Sequence, residues 1–95
     1  MSLRSFHYSI NGVVQGVGFR QFLKRRAETY GIVGWTRNTS TGDVVGVAEG
    51  LVDAMERFEK ALHTGPSHAT VVDVKLSEDR EVSTLKFDKF EIRRG

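Results

Sequence analysis

Arg20 closes the stretch GVVQGVGFR (Gly12–Arg20), and directly behind it apolar residues recur at helical spacing. Helix N-termini ordinarily favour Asp or Glu, because unpaired N–H groups and the helix dipole put partial positive charge there, worth about 0.3–1 kcal/mol per acid. Here the opening turn holds Arg20 and Gln21, Lys24 follows, and the first acid is Glu28 near the far end. Free N–H groups, glycines and a guanidinium on one spot make a site for an anion. A glycine lets a ligand oxygen approach the backbone, and the planar fork of arginine takes two phosphate oxygens at once. Glycines also build tight connections that bind nothing. The loop alone leaves both readings open. It lacks the Gly-Lys-Ser/Thr ending of a Walker A loop and is not the GxGxxG dinucleotide fingerprint.

The other groups that could do chemistry are few. There is no cysteine, hence no disulfide, thiolate ligand or thiol nucleophile. His7, His63 and His68 stand far apart, and no Asp/Glu/His cluster has metal-ligand spacing. Asn38 precedes the polar run TSTGD (Thr39–Asp43), where an Asn commonly bonds local backbone. Trp35 reads as a packing residue. Lys24-Arg25-Arg26 reads as a solvated helix face that draws anions towards the neighbouring loop at low salt.

The elements that must position these residues are legible in outline. Ninety-five residues make one small domain, expected over residues 1–95, and 39% hydrophobic with 27% charged residues is a globular composition. No apolar run approaches the roughly 20 residues of a membrane helix. The start, MSLRSFHYSI, shows no export signal, so a cytoplasmic protein is expected. Phe6, Tyr8 and Ile10 alternate as in a strand with one buried face. Phe19, Phe22, Leu23, Ala27 and Tyr30 predict a helix that Gly31 ends. Ile32–Asn38 and Val44–Glu49 predict a hairpin turning at TSTGD. Leu51, Met55, Phe58 and Leu62 predict a second helix, stopped by Gly65-Pro66. Thr70–Leu76 predicts a strand with Val72, Val74 and Leu76 on one side, Ser77–Ser83 a charged loop, and Leu85–Ile92 a last strand bulged or bent near Asp88-Lys89. The order β-α-β-β-α-β with an extra C-terminal strand predicts an α+β, ferredoxin-like (split βαβ) sandwich: an antiparallel sheet of four to five strands with two helices on one face. That fold hosts many functions.

The whole of the opening stretch, Gly12-x-Val14-Gln15-Gly16-Val17-x-Phe19-Arg20, resembles the first signature of the acylphosphatases. The second signature follows in order, with Gly34-Trp35, Asn38, Gly42, Val44 and Gly50. Gly65-Pro66 with His68-Ala69 and Val71, and Phe90-x-Ile92, resemble the family's later connection and closing strand. Thr36 departs from the pattern, which usually has a small apolar residue there; the change removes no catalytic group. The resemblance implies hydrolysis of acyl phosphates without a metal or other cofactor. It implies that Gln15, Gly16, Val17, Gly18 and Phe19 surround the phosphoryl oxygens with backbone N–H groups, that Arg20 binds the phosphate, and that Asn38 orients the attacking water, with Thr39 helping to hold Asn38. The expected partners are a small acyl phosphate and its product, inorganic phosphate, with no nucleic acid and no membrane, and the chain is expected to be a monomer. Asn38-Thr39-Ser40 would accept a glycan in a secreted protein, and a glycan on Asn38 would block such a site, which favours the cytoplasm.

Two non-catalytic rivals share the fold: an RNA-binding module and a phosphate-sensing domain. The formal charge of only +2 and the absence of the aromatic RNA-recognition pattern weigh against the first. The pairing of Arg20 with Asn38 weighs against the second, because a pure binder need not place a water.

Overall fold

A computed structural model describes residues 2–94. Its elements are β1 (Leu3–Val13), α1 (Phe19–Tyr30), β2 (Val33–Asn38), β3 (Val44–Leu51), α2 (Val52–Thr64), β4 (Thr70–Val82) and β5 (Phe90–Ile92). The five strands form one sheet in the order β4-β1-β3-β2-β5. Phe6, Tyr8 and Ile10 of β1 meet Phe22 and Leu23 of α1 and Met55, Phe58 and Leu62 of α2 in one buried cluster. Both helices therefore cover the same face of the sheet, as the ferredoxin-like arrangement requires. The large residues of β1 lie opposite small ones of β3, Phe6 across from Ala48 and Tyr8 across from Gly46. Each fully buried aromatic here contributes roughly 1.5–3 kcal/mol of hydrophobic stabilisation. The Tyr8 hydroxyl donates to the Trp35 carbonyl at 3.2 Å, and burial pushes its pKa up, so it remains a donor.

The sheet is mixed, not wholly antiparallel, because β5 pairs in parallel with β2. The reason is topological. β1 and β2 both run antiparallel to β3, β4 runs antiparallel to β1, and a strand that turns back after β4 must run alongside β2 in the same direction. The extra strand thus occupies the β2 edge.

Three local expectations give way. Ser77–Val82 is strand, not loop: it continues β4 along the first residues of β1, Leu3 opposite Val82 and Ser5 opposite Arg80. Its charges suit an exposed sheet edge, and the Arg4 guanidinium binds Asp79 through two 2.8 Å bonds and Glu59 at 3.1 Å. Hydrogen bonding from Arg4, helped by its charge, holds the Asp79 carboxyl below the usual range. The inward phase of β4 is Val71, Val74 and Leu76, with Val72 turned out at 71% exposure. A bulge between the Asn11 and Gly12 pairings inserts Val72 as an unpaired residue and shifts the alternation. Leu85–Lys89 is irregular, and regular pairing begins only at Phe90. The break in phase near Asp88-Lys89 marks the start of the strand.

That irregular segment crosses the sheet face opposite the helices and is pinned there. Buried Glu49 accepts the Lys86 backbone N–H at 2.7 Å and the Ser5 hydroxyl at 2.9 Å. The Lys89 carbonyl accepts the Gly34 N–H at 2.9 Å. These bonds deliver β5 to its place beside β2.

Candidate active site

A cleft of about 290 Å³ opens where α1 begins. It is lined by Val14, Gly16, Gly18, Phe19, Arg20 and Gln21 from the glycine loop and the start of α1. Asn38 from the end of β2, with Ile92 and Arg94 from β5 and the residues after it, completes the lining. Among the described residues no carboxylate and no imidazole lines it. Among the described residues no three His, Cys, Asp or Glu residues are grouped to hold a metal ion. No helix is long and apolar enough to cross a membrane.

The loop is built to leave its donors free. Gly16 and Gly18 have φ of 73° and 78°, the left-handed region that other residues enter at a cost. Gly18 is the N-cap of α1, so no side chain caps the helix, and no acid stands in its first turn. From Gln15 to Gln21 no backbone N–H has a protein acceptor among the described residues. Arg20 is half-buried and forms no ion pair or side-chain hydrogen bond among them. Unpaired N–H groups and a guanidinium without a carboxylate favour a bound anion through both hydrogen bonding and charge.

Asn38 faces the helix side of the sheet, paired with Val44 across the hairpin. Its side-chain Oδ1 is buried and has no hydrogen-bond donor among the described residues. An unmatched buried acceptor costs about 1–3 kcal/mol. Such an orphan at the wall of an anion cleft is a place for a donor that the protein does not supply, and a water molecule is one.

Of the residues the sequence nominated, Gly16, Gly18, Phe19, Arg20 and Asn38 meet in the cleft. The side chains of Gln15 and Val17 do not. Val17 packs against the core. Gln15 Nε2 donates to the carbonyls of Thr39 at 2.8 Å and Asp43 at 2.9 Å, tying the glycine loop to the hairpin that carries Asn38. Thr39 holds the same hairpin together: its hydroxyl accepts the Asp43 N–H at 3.0 Å, and its own N–H donates to the Asp43 carbonyl at 2.9 Å. The buried Thr36 hydroxyl is accommodated by a 3.3 Å bond to the Val45 carbonyl.

Val14, Gln21, Ile92 and Arg94 are cleft residues that sequence reasoning missed. Strand parity carries the signal for two of them, since Phe90, Ile92 and Arg94 share one side of the chain. On the opposite face of the sheet β3 presents Val45, Val47 and Glu49, with none of the aromatic residues on which RNA-recognition modules stack bases.

Comparison with known proteins identifies the family. The family model described as Acylphosphatase matches residues 6–92. An acylphosphatase of Salinibacter ruber is 46% identical over 87 residues, covering 90% of this chain and 87% of that one. Human acylphosphatase-2 is 36% identical over 93 residues, covering 97% and 94%. The solved structure of an acylphosphatase from Coxiella burnetii superposes with a TM-score of 0.86 at 33% identity, over 97% of this chain and 94% of that one. With the family model matched from residue 6 to 92 and relatives similar in sequence and fold over nearly the full length, the chain belongs to the acylphosphatase family.

Proposed function

We propose that this chain hydrolyses the carboxyl–phosphate bond of acyl phosphates, releasing a carboxylate and inorganic phosphate, with Arg20, the 15–20 loop and Asn38 as its machinery. The observation that carries the assignment of roles is the convergence of unpaired N–H groups, an unpaired guanidinium and an orphaned amide oxygen on one cleft. The phosphoryl oxygens take the loop N–H groups and the Arg20 fork. Asn38 Oδ1 accepts a hydrogen bond from water and aims the water oxygen at phosphorus. The new O–P bond forms as the bond to the acyl oxygen breaks, the acyl oxygen leaves as carboxylate, and the water proton passes to a phosphoryl oxygen. A mixed anhydride has a good leaving group, so positioning and charge balance suffice. No metal is required by these groups.

The direct test is turnover of benzoyl phosphate in saturating EDTA. Hydrolysis is expected to persist, and simple phosphate monoesters are expected to be poor substrates, because their alkoxide leaving groups need an acid that the cleft lacks. Loss of turnover on chelation, restored by Mg²⁺ or Zn²⁺, would overturn the metal-free assignment. The reading places the enzyme in the cytoplasm as a monomer, the location supported by the blocking effect of a glycan at Asn38.

Gln15 acts in this scheme as a positioning residue. Gln15→Leu and Gln15→Glu both remove the donor shared by Thr39 and Asp43, and the loop and hairpin then hold their groups less well aligned. Each is expected to lower kcat by up to about 10²-fold, the cost of a misplacement near 1 Å. Competitive inhibition by phosphate is expected to change far less. Denaturation measured on the same preparations separates this from a merely structural role, which would lower stability while leaving kcat per folded molecule intact.

A further inference from the structure

A second guanidinium lines the cleft, carried by the chain just after β5. Phe90, Ile92 and Arg94 alternate onto the helix side of the sheet, passing from buried through half-buried to exposed. The residue between the last two is fixed at both ends. Arg93 N–H donates to the Thr36 carbonyl at 2.8 Å, and its guanidinium lies 4.7 Å from the Trp35 ring centroid on the opposite face. These contacts carry the pairing of β5 with β2 one residue past Ile92, up to Arg94. Arg94 has no carboxylate partner among the described residues, and none lines the cleft. The glycine loop offers unpaired N–H groups, and Arg20 an unpaired guanidinium, to one phosphoryl group. Arg94 lines the same cleft from a different stretch of chain, with apolar Ile92 beside it in the lining.

We propose that Arg94 is a specificity residue that selects acyl phosphates whose acyl group carries a second anionic group. The inference rests on the acyl phosphate reading above. The phosphoryl group sits at the start of α1, the carbon chain crosses Ile92, and the distal carboxylate or phosphate meets the Arg94 guanidinium. An arginine suits this place because its fork receives either anion through two parallel hydrogen bonds.

Calorimetric titration of the intact chain with two carbon-linked, non-hydrolysable analogues, succinyl phosphonate and butyryl phosphonate, tests it. The quantity read is the ratio of their affinities. Wild type is expected to prefer succinyl phosphonate about fivefold at low salt, the scale of one exposed ion pair. Higher salt is expected to shrink the preference. Arg94→Ala is expected to bring the ratio close to one, and Arg94→Lys to retain part of it. Arg25→Ala makes the same charge change on the exposed side of α1 and is expected to leave the ratio in place. A wild type without preference, or a preference that survives in Arg94→Ala, overturns the proposal. So does an equal collapse in Arg25→Ala, which would make the effect a property of the whole molecule's field. Uniform weakening of both analogues and of inorganic phosphate in Arg94→Ala overturns it too, and assigns Arg94 to the phosphate cradle. Failure of the hydrolysis reading is recognised separately, as no turnover of benzoyl phosphate by wild type while the phosphonate ratio is still measurable.

Discussion

Asn38→Ala is expected to lower kcat by about 10²–10⁴-fold, on the scale of other deleted positioning or transition-state-stabilising groups. Affinity for inorganic phosphate is expected to change little, because phosphate held by the loop and Arg20 does not depend on a correctly aimed water. The expectation follows from the state of the side chain. Its Oδ1 is buried and without a donor, so removing it breaks no internal hydrogen bond made by that atom. The opposite view, that Asn38 merely shapes the hairpin, meets a structure in which Thr39 and Gln15 already make those bonds. Chemical denaturation, phosphate inhibition and kcat on one Asn38→Ala preparation decide between them. A fall in stability with turnover per folded molecule within about threefold of wild type, less than one kcal/mol of barrier, would remove Asn38 from the chemistry.

Arg20→Ala is expected to cost about 10³-fold or more in kcat/KM, the range seen when an arginine that balances phosphoryl charge is lost, and to abolish competitive inhibition by phosphate. Arg20→Lys keeps the charge but loses the fork, and most of the activity is expected to go with it. Both variants are expected to fold. Arg20 has no ion pair among the described residues, and it sets a positive charge against the positive end of α1. Removing that charge is expected to raise stability by about 0.3–1 kcal/mol. Stability and activity should therefore move in opposite directions. A fully active Arg20→Lys enzyme would show the fork to be unimportant, and an unfolded Arg20→Ala chain would make the residue structural.

The parts of this molecule that the sequence made legible are those whose signal is local. Phe19 to Tyr30 and Leu51 to Leu62 carry regular apolar stripes, and the two helices stand where those stripes predict. The loop and Asn38 stood out because two long signatures mark them. The phase of β4 is not legible because a bulge adds a residue without adding a recognisable residue type, so Val72 looks like a core residue and is not. The charged end of β4 read as loop because an exposed edge strand packs on one side only and can carry the composition of a loop. The tie from Gln15 to the hairpin spans 24 and 28 residues of chain, beyond the reach of any periodicity. Arg94 lies past both signatures, and only the direction of β5 brings it to the cleft.

The parallel pairing of β5 with β2 decides how the cleft is assembled along the chain. Its lining residues from Val14 to Asn38 lie in the first half of the sequence. Ile92 and Arg94 join them only after the chain has run the length of β4 at one edge and crossed beneath the sheet to the other. The groups assigned to the chemistry and the residues that finish the cleft are thus encoded in separate halves of the chain, so the closing strand can change without touching Arg20 or Asn38.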